Sequence, residues 1–241
     1  MFRLVTAVAV CALALAASFA ARAQTQGPVV ELFTSQSCSS CPAADAFLAE
    51  LAARDDVIAL SLHVDYWDYI GWKDTLAQPA HAERQKGYAE ALKGRRVYTP
   101  QMVIDGAAHE VGSNRTGVLA AIERGRAAAR LPVELSRESG HVLVRIPAGP
   151  AQGDATIWLL RYDAEHKVEI GQGENRGRVI AYRNVVREIS SLGVWRGEPV
   201  EATLSEAQLT RGGSTGCAVI VQRDMHGPVL GAAQLALGPT N

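Results

Sequence analysis

Between residues 29 and 64 the chain writes a strand, a helix and a second strand with short links, and two cysteines lie in the first link. Val29-Val30-Glu31-Leu32-Phe33 is apolar and β-prone, so it reads as a buried strand. Over 43–54 the apolar residues Ala44, Phe47, Leu48 and Leu51 recur at helical spacing. Asp45 falls early in that helix, where a carboxylate suits the positive end of the dipole. Ile58, Leu60, Leu62 and Val64 then alternate along a second strand. This order favours a parallel pair, because a parallel return needs a crossover connection.

Ahead of this unit, residues 1–23 read as a signal peptide. Arg3 supplies the charged start, 4–17 an apolar run, and Ala21-Arg22-Ala23 a small-residue cleavage site. The run is shorter than the roughly 20 residues that span a bilayer, and bulky Val10 disfavours lipid attachment at Cys11. No later stretch is long and apolar enough to span, so no stable membrane span is expected after cleavage. Export to the periplasm or the exterior places the mature chain where a close cysteine pair can be a disulfide. Cleavage removes Cys11 and leaves Cys38, Cys41 and Cys217. The charge balance, 24 Lys+Arg against 25 Asp+Glu, argues against nucleic acid as partner. An apolar content of 48% excludes a disordered chain.

Residues 65–96 break the first pattern. Pro79 suits the first turn of a helix that Gly94 terminates, with Tyr88 and Leu92 on one face. A short strand over 101–105, a turn at Asp105-Gly106 and a return over 109–111 follow. Ser113 or Asn114 can cap a last helix running to about Arg130. The texture changes at Pro132: β-prone runs at 133–135, 141–146, 156–162, 179–189, 200–204, 217–222 and 229–235 alternate with turn residues. Their spacing predicts a small β-sandwich over 132–241, after an α/β domain with a helical insert over 24–131.

Cys38-Ser39-Ser40-Cys41 carries the chemistry. At a helix N-terminus, unpaired N–H groups and the dipole stabilise a thiolate. Such cysteines have pKa values lowered from about 8.5 to roughly 3.5–7.5. Cys38 is the expected attacking thiol, and Cys41, one turn along, the thiol that resolves a mixed disulfide. Pro42 belongs in the first helical turn, which a cap at Ser39 or Ser40 would allow. Thr99-Pro100 precedes the third strand, where a cis X–Pro bond costs only about 0.5–1 kcal/mol.

These two features together resemble the thioredoxin superfamily. The resemblance implies a cis proline at Pro100 packed against the cysteine pair, with Thr99 offering backbone groups to a bound peptide. Three departures stand out: no Trp precedes Cys38, the central dipeptide is Ser39-Ser40 rather than Gly-Pro, and the buried acid has only an approximate counterpart, Glu31. At finer grain, Glu31-Leu32-Phe33-Thr34-Ser35-Gln36, Cys38-Ser39-Ser40-Cys41-Pro42, His63-Val64-Asp65-Tyr66-Trp67-Asp68 and Tyr98-Thr99-Pro100-Gln101-Met102 resemble the DUF1223 family of exported bacterial proteins. Glu31 is the candidate proton acceptor for Cys41, with an ordinary ion-paired carboxylate as the alternative.

The resulting expectation is an exported thiol–disulfide oxidoreductase acting on protein or small-molecule thiols, served by a redox partner and needing no cofactor. One rival is a Cu(I)-handling module using the same thiols, with His63 as third ligand or simply a buried, hydrogen-bonded histidine. Another is a binding protein in which the cysteines form a static clamp. No resident metal is expected, since zinc usually needs about four ligands and no second pair exists. The aromatics Tyr66, Trp67, Tyr69 and Trp72 are either a peptide wall or packing beneath the insert. Cys217, in an apolar run, reads as a buried thiol, with contact to the Cys38 pair or an intermolecular disulfide as the alternative that the odd count leaves open. Residues 171–178 are rich in glycine but lack the strand–loop–helix setting of a dinucleotide site, so they read as a long hairpin loop.

Overall fold

A computed structural model of the chain describes residues 24–94, 96–151 and 153–238. The leader expected at 1–23 lies outside them. The first half contains β1 (Thr25–Gln26), β2 (Val29–Thr34), α1 (Pro42–Ala52), β3 (Ile58–His63), a 3-10 turn (Asp68–Ile70), α2 (Pro79–Ala91), β4 (Gln101–Ile104), β5 (Ala108–Val111) and α3 (Arg115–Ala127). The second half contains β6 (Glu134–Glu138), β7 (His141–Ile146), β8 (Ala155–Glu169), β9 (Val179–Trp195), β10 (Val200–Ser205), α4 (Glu206–Leu209), a 3-10 turn (Arg211–Gly213), β11 (Gly216–Arg223) and β12 (Val229–Ala236).

The fold is mixed α/β, dominated by one sheet of nine strands in the order β1-β12-β11-β8-β9-β3-β2-β4-β5. The expected parallel β2–β3 pair is present, running from Val29 opposite Ile58 to Thr34 opposite His63. The strands after Pro132 form no self-contained sandwich. Four of them, β8, β9, β11 and β12, continue the sheet of the first half, joined where Ser61 of β3 meets Val185 of β9. Only β10, β7 and β6 form a separate sheet, which packs across β8, β11 and β12 with Val144, Ile157, Val219 and Trp195 between the layers. Alternation identifies strands but not their neighbours, because a strand with two apolar faces fits either sheet.

Strand parity divides the sheet around the cysteines. Val30 and Leu32 point to one face, where Phe47, Leu48 and Leu51 of α1 and Val118 and Ile122 of α3 cover them. Val29 and Phe33 point to the other, against Tyr88 and Ala82 of α2. Such alternation follows from the two-residue period of a strand. Pro79 opens α2 as expected, and the Asn114 side chain caps α3 by accepting from the Gly117 amide at 3.2 Å. At α1 the cap is Cys41 itself, with Pro42 in the first turn, rather than Ser39 or Ser40.

Candidate dithiol site

β2 delivers the chain to a turn that ends in α1, and both cysteines lie in that passage. The Cys38 amide donates to the Ser35 carbonyl at 3.1 Å, and the Cys41 amide to the Cys38 carbonyl at 3.2 Å. The Cys41 carbonyl accepts from the amides of Ala44 and Asp45, which starts the helix. The two sulfurs are joined, with the Cα atoms 5.4 Å apart. Cys41 is wholly buried and Cys38 is 4% exposed, while Ser39 and Ser40 between them face solvent. Ser40 Oγ lies 3.4 Å from Cys38 Sγ. Approach to the pair is therefore over the Ser39-Ser40 side, onto Cys38.

A buried polar cluster gathers around the first turns of α1. Asp45, four residues after Cys41 and thus on the same helical face, is buried and accepts from Thr34 Oγ1 at 2.8 Å. Its Oδ2 has no hydrogen-bond partner. Burial pushes the Asp45 carboxyl up to about 7, against the opposing pull of His63 and Thr34. His63 Nδ1 is 2.8 Å from Asp74 Oδ2, which also accepts from the Gln36 amide at 2.8 Å. Burial alone would raise Asp74, but the His63 ring and the Gln36 and Leu76 amides hold its carboxyl below the usual range. With Asp74 ionised, the His63 ring donates to it. The Tyr182 ring stands edge-on to His63 with centroids 4.5 Å apart, and burial raises its hydroxyl well above the usual value. The His81 ring donates to the His63 carbonyl at 2.8 Å, and burial lowers its pKa to about 4, so it is neutral.

Glu31 is placed elsewhere, which corrects its expected role. It shares the parity of Val29 and Phe33, so its carboxylate points to the α2 face, away from α1. There Arg84 Nε and Nη2 donate to it at 2.6 and 3.0 Å, and Tyr88 adds a third contact. The ion-paired alternative describes it. Asp45 is the buried acid on the α1 side of the sheet, and its side chain points inward rather than to solvent. The phase of α1 could have shown this, since Asp45 precedes buried Leu48 by three residues.

The Thr99–Pro100 peptide is cis, and Pro100 is buried. Gly112 is packed between Pro100 and Ala44, which sets the proline beside the first turn of α1. Thr99 Oγ1 accepts from Trp67 Nε1 at 2.7 Å. Trp67 stacks with Tyr69, which is 79% exposed, while Tyr66 and Trp67 also pack on the core under α2. Packing beneath the insert thus describes Tyr66 and Trp67, while Tyr69 faces solvent. His63 is engaged by Asp74, and among the described residues no group of three His, Cys, Asp or Glu is placed to hold a metal ion. Cys217 lies in the apolar layer between the two sheets, and burial pushes its thiol up to about 12.

One contributor had no signal in the sequence. Asn175, at the tip of the β8–β9 hairpin, donates from Nδ2 to the carbonyls of Gln36 and Cys38, both at 2.9 Å. It is separated from Cys38 by 137 residues, inside a loop marked only by glycines.

A family model described as a protein of unknown function, DUF1223, matches residues 29–222. The chain belongs to this family. A DUF1223-like match over this span covers the cysteine turn, the cis proline and the hairpin tip alike. Among solved structures, a crystal structure of a protein from Agrobacterium tumefaciens is 34% identical with a TM-score of 0.78, covering 89% of this chain and 96% of that one. HBP35 of Porphyromonas gingivalis shares the fold at a TM-score of 0.60 and 12% identity, over 90% of this chain and 77% of that one. No protein of curated function matches.

Proposed function

We propose that this DUF1223 member is an exported thiol–disulfide oxidoreductase whose first half is thioredoxin-like. The observation that carries the reading is the Cys38–Cys41 pair at the start of α1, with solvent access at Ser39-Ser40 and a titratable acid, Asp45, four residues after Cys41. A disulfide there would be activated by the same dipole and amides that stabilise a thiolate. The buried proline beside α1 and the exposed Tyr69 support a substrate groove on the same side.

The Cys38 thiolate attacks one sulfur of a substrate disulfide, forming a mixed disulfide and expelling a substrate thiolate. Cys41 gives its proton to the Asp45 carboxylate and attacks Cys38 Sγ. The Cys38–Cys41 bond forms and the second substrate thiolate leaves, so the substrate gains two electrons and the enzyme dithiol loses them. The reverse sequence oxidises a substrate dithiol, with Asp45 returning the proton to Cys41. A carboxyl with a pKa near 7 is suited to both directions at neutral pH. Export by the leader would place the pair where a disulfide persists and where thiol or disulfide proteins are its partners.

The test is a Cys41→Ser trap in the native host combined with equilibration of the wild-type pair in glutathione buffers. We expect covalent partners bound through Cys38 and a potential above about −300 mV. A potential well below about −300 mV with no captured partner would identify a static structural bridge instead.

A further inference from the structure

Among the described residues the β8–β9 hairpin is the longest element pair, with strands of 15 and 17 residues. At the usual strand rise it extends about 50 Å. Its base lies in the apolar layer between the two sheets, where Ala155 and Trp195 are buried. Its tip, residues 170–178, lies on the cysteine turn.

The tip is internally fixed. The Ile170 amide donates to Arg178, the Gly177 amide to Ile170, and the Arg176 amide to Gly173. Gly173 has φ +77 and sits against Trp72, where an added Cβ would come within 3.3 Å of the Trp72 Cβ. Trp72 in turn donates from Nε1 to Gln36 Oε1 at 2.8 Å, and its carbonyl accepts from Ser37 Oγ at 2.6 Å. Asn175 is 1% exposed although most residues of the tip face solvent. Gln36 is thus held on both sides of its backbone, the amide by Asp74 and the carbonyl by Asn175. The second Asn175 bond reaches the carbonyl of Cys38 itself.

We propose that Asn175 is a positioning residue for the dithiol, so that the hairpin arm of the second half sets how readily the Cys38–Cys41 bond is reduced. The inference rests on the thiol-exchange reading and deepens it. Reduction separates the sulfurs only if the Cys38 turn is free to move. With the carbonyls of Gln36 and Cys38 pinned, the two thiols stay close and oriented, which keeps their effective concentration for reclosure high. Without the pin, the reduced turn gains freedom and the open form is favoured.

The experiment equilibrates the full mature chain with glutathione and counts free thiols by alkylation. Two glutathione molecules deliver two electrons and two protons to the pair and leave as one oxidised dimer. Asn175→Ala removes both donor bonds, and Asn175→Asp keeps the volume while turning an acceptor toward two carbonyls. Each is expected to favour the reduced form about tenfold, equivalent to a potential about 30 mV higher for a two-electron couple. Arg176→Ala, an exposed neighbour on the same tip, is expected to stay within about twofold of wild type. Near-ultraviolet circular dichroism confirms that each variant is folded before it is read, and either Asn175 variant suffices. Asn175 variants within twofold of wild type would overturn the proposal, as would an equal shift in Arg176→Ala. If glutathione does not open the wild-type bond at all, the exchange reading fails, and the rate of reduction by dithiothreitol reads the Asn175 contrast in the same way. There an acceleration of about tenfold supports positioning, and equal rates refute it.

Discussion

Replacing Asp45 with Asn tests the buried acid at its origin. Burial raises the Asp45 pKa from the ordinary 3.8 to about 7. A folded-state pKa above the unfolded one means that the native state holds the proton more tightly. Its stabilising contribution is full below pH 4 and is lost as the pH rises through about 7. A shift of this size corresponds to a loss of on the order of 4 kcal/mol across that window, since each pKa unit is worth about 1.4 kcal/mol. Asn keeps the shape, accepts from Thr34 as Asp45 Oδ1 does, and cannot ionise. His63, Asp74 and Tyr182 belong to the same cluster in both proteins, so the difference between wild type and Asp45→Asn reports Asp45 together with its electrostatic coupling to them. The measurement is urea unfolding of both oxidised proteins at intervals from pH 3.5 to 8. Relative to wild type, the variant should gain stability steadily from about pH 4 to about pH 7. A difference that stays flat within about 1 kcal/mol over that range would show that Asp45 is not held neutral by burial, and the proton-transfer role would go with it.

Three further outcomes follow from other contacts. Arg84→Met leaves the buried Glu31 carboxylate without its bidentate partner and should destabilise by about 3–5 kcal/mol; adding Glu31→Leu should recover much of the loss in denaturant titrations, and strictly additive penalties would contradict the pairing. Cys217→Ser puts a hydroxyl into the apolar layer between the sheets and should cost about 1–3 kcal/mol of stability. The same variant should leave the glutathione equilibrium of the Cys38–Cys41 pair unchanged, and a shift there would assign Cys217 a redox role. Gly87→Ala places a Cβ into the His226 ring, which packs directly on α2. Thermal unfolding should register a loss of about 1–3 kcal/mol, and an unchanged midpoint would mean that His226 moves aside freely.

The first half was legible because its signals are local. The phase of Ala44, Phe47, Leu48 and Leu51 defined α1, Pro79 opened α2, and Asn114 capped α3, each through neighbours within a few residues. Glu31 shows where locality stops. Its strand was correctly read, but a strand has two faces, and the face that receives α1 is fixed only when α2 and its Arg84 take the other. The second half shows the same limit on a larger scale. Each β-prone run became a strand, yet β8 continues past 162 to Glu169 and β9 past 189 to Trp195, because each extension pairs with residues of the partner strand that lie far away in sequence.

The amino-acid sequence by itself determined β2 to β5 and α1 to α3 in the first half and the position of Cys38 and Cys41 at a helix start. Backbone periodicity and capping depend on residues three or four apart, and those lie on the page of the sequence. Only the tertiary structure decided that the sheet continues through β3 and β9, that Asp45 is buried on the α1 face while Glu31 turns to Arg84 on the other, and that Asn175 holds the cysteine turn. These depend on pairings across long separations, where hydrogen bonds and burial, not local propensity, choose the partner.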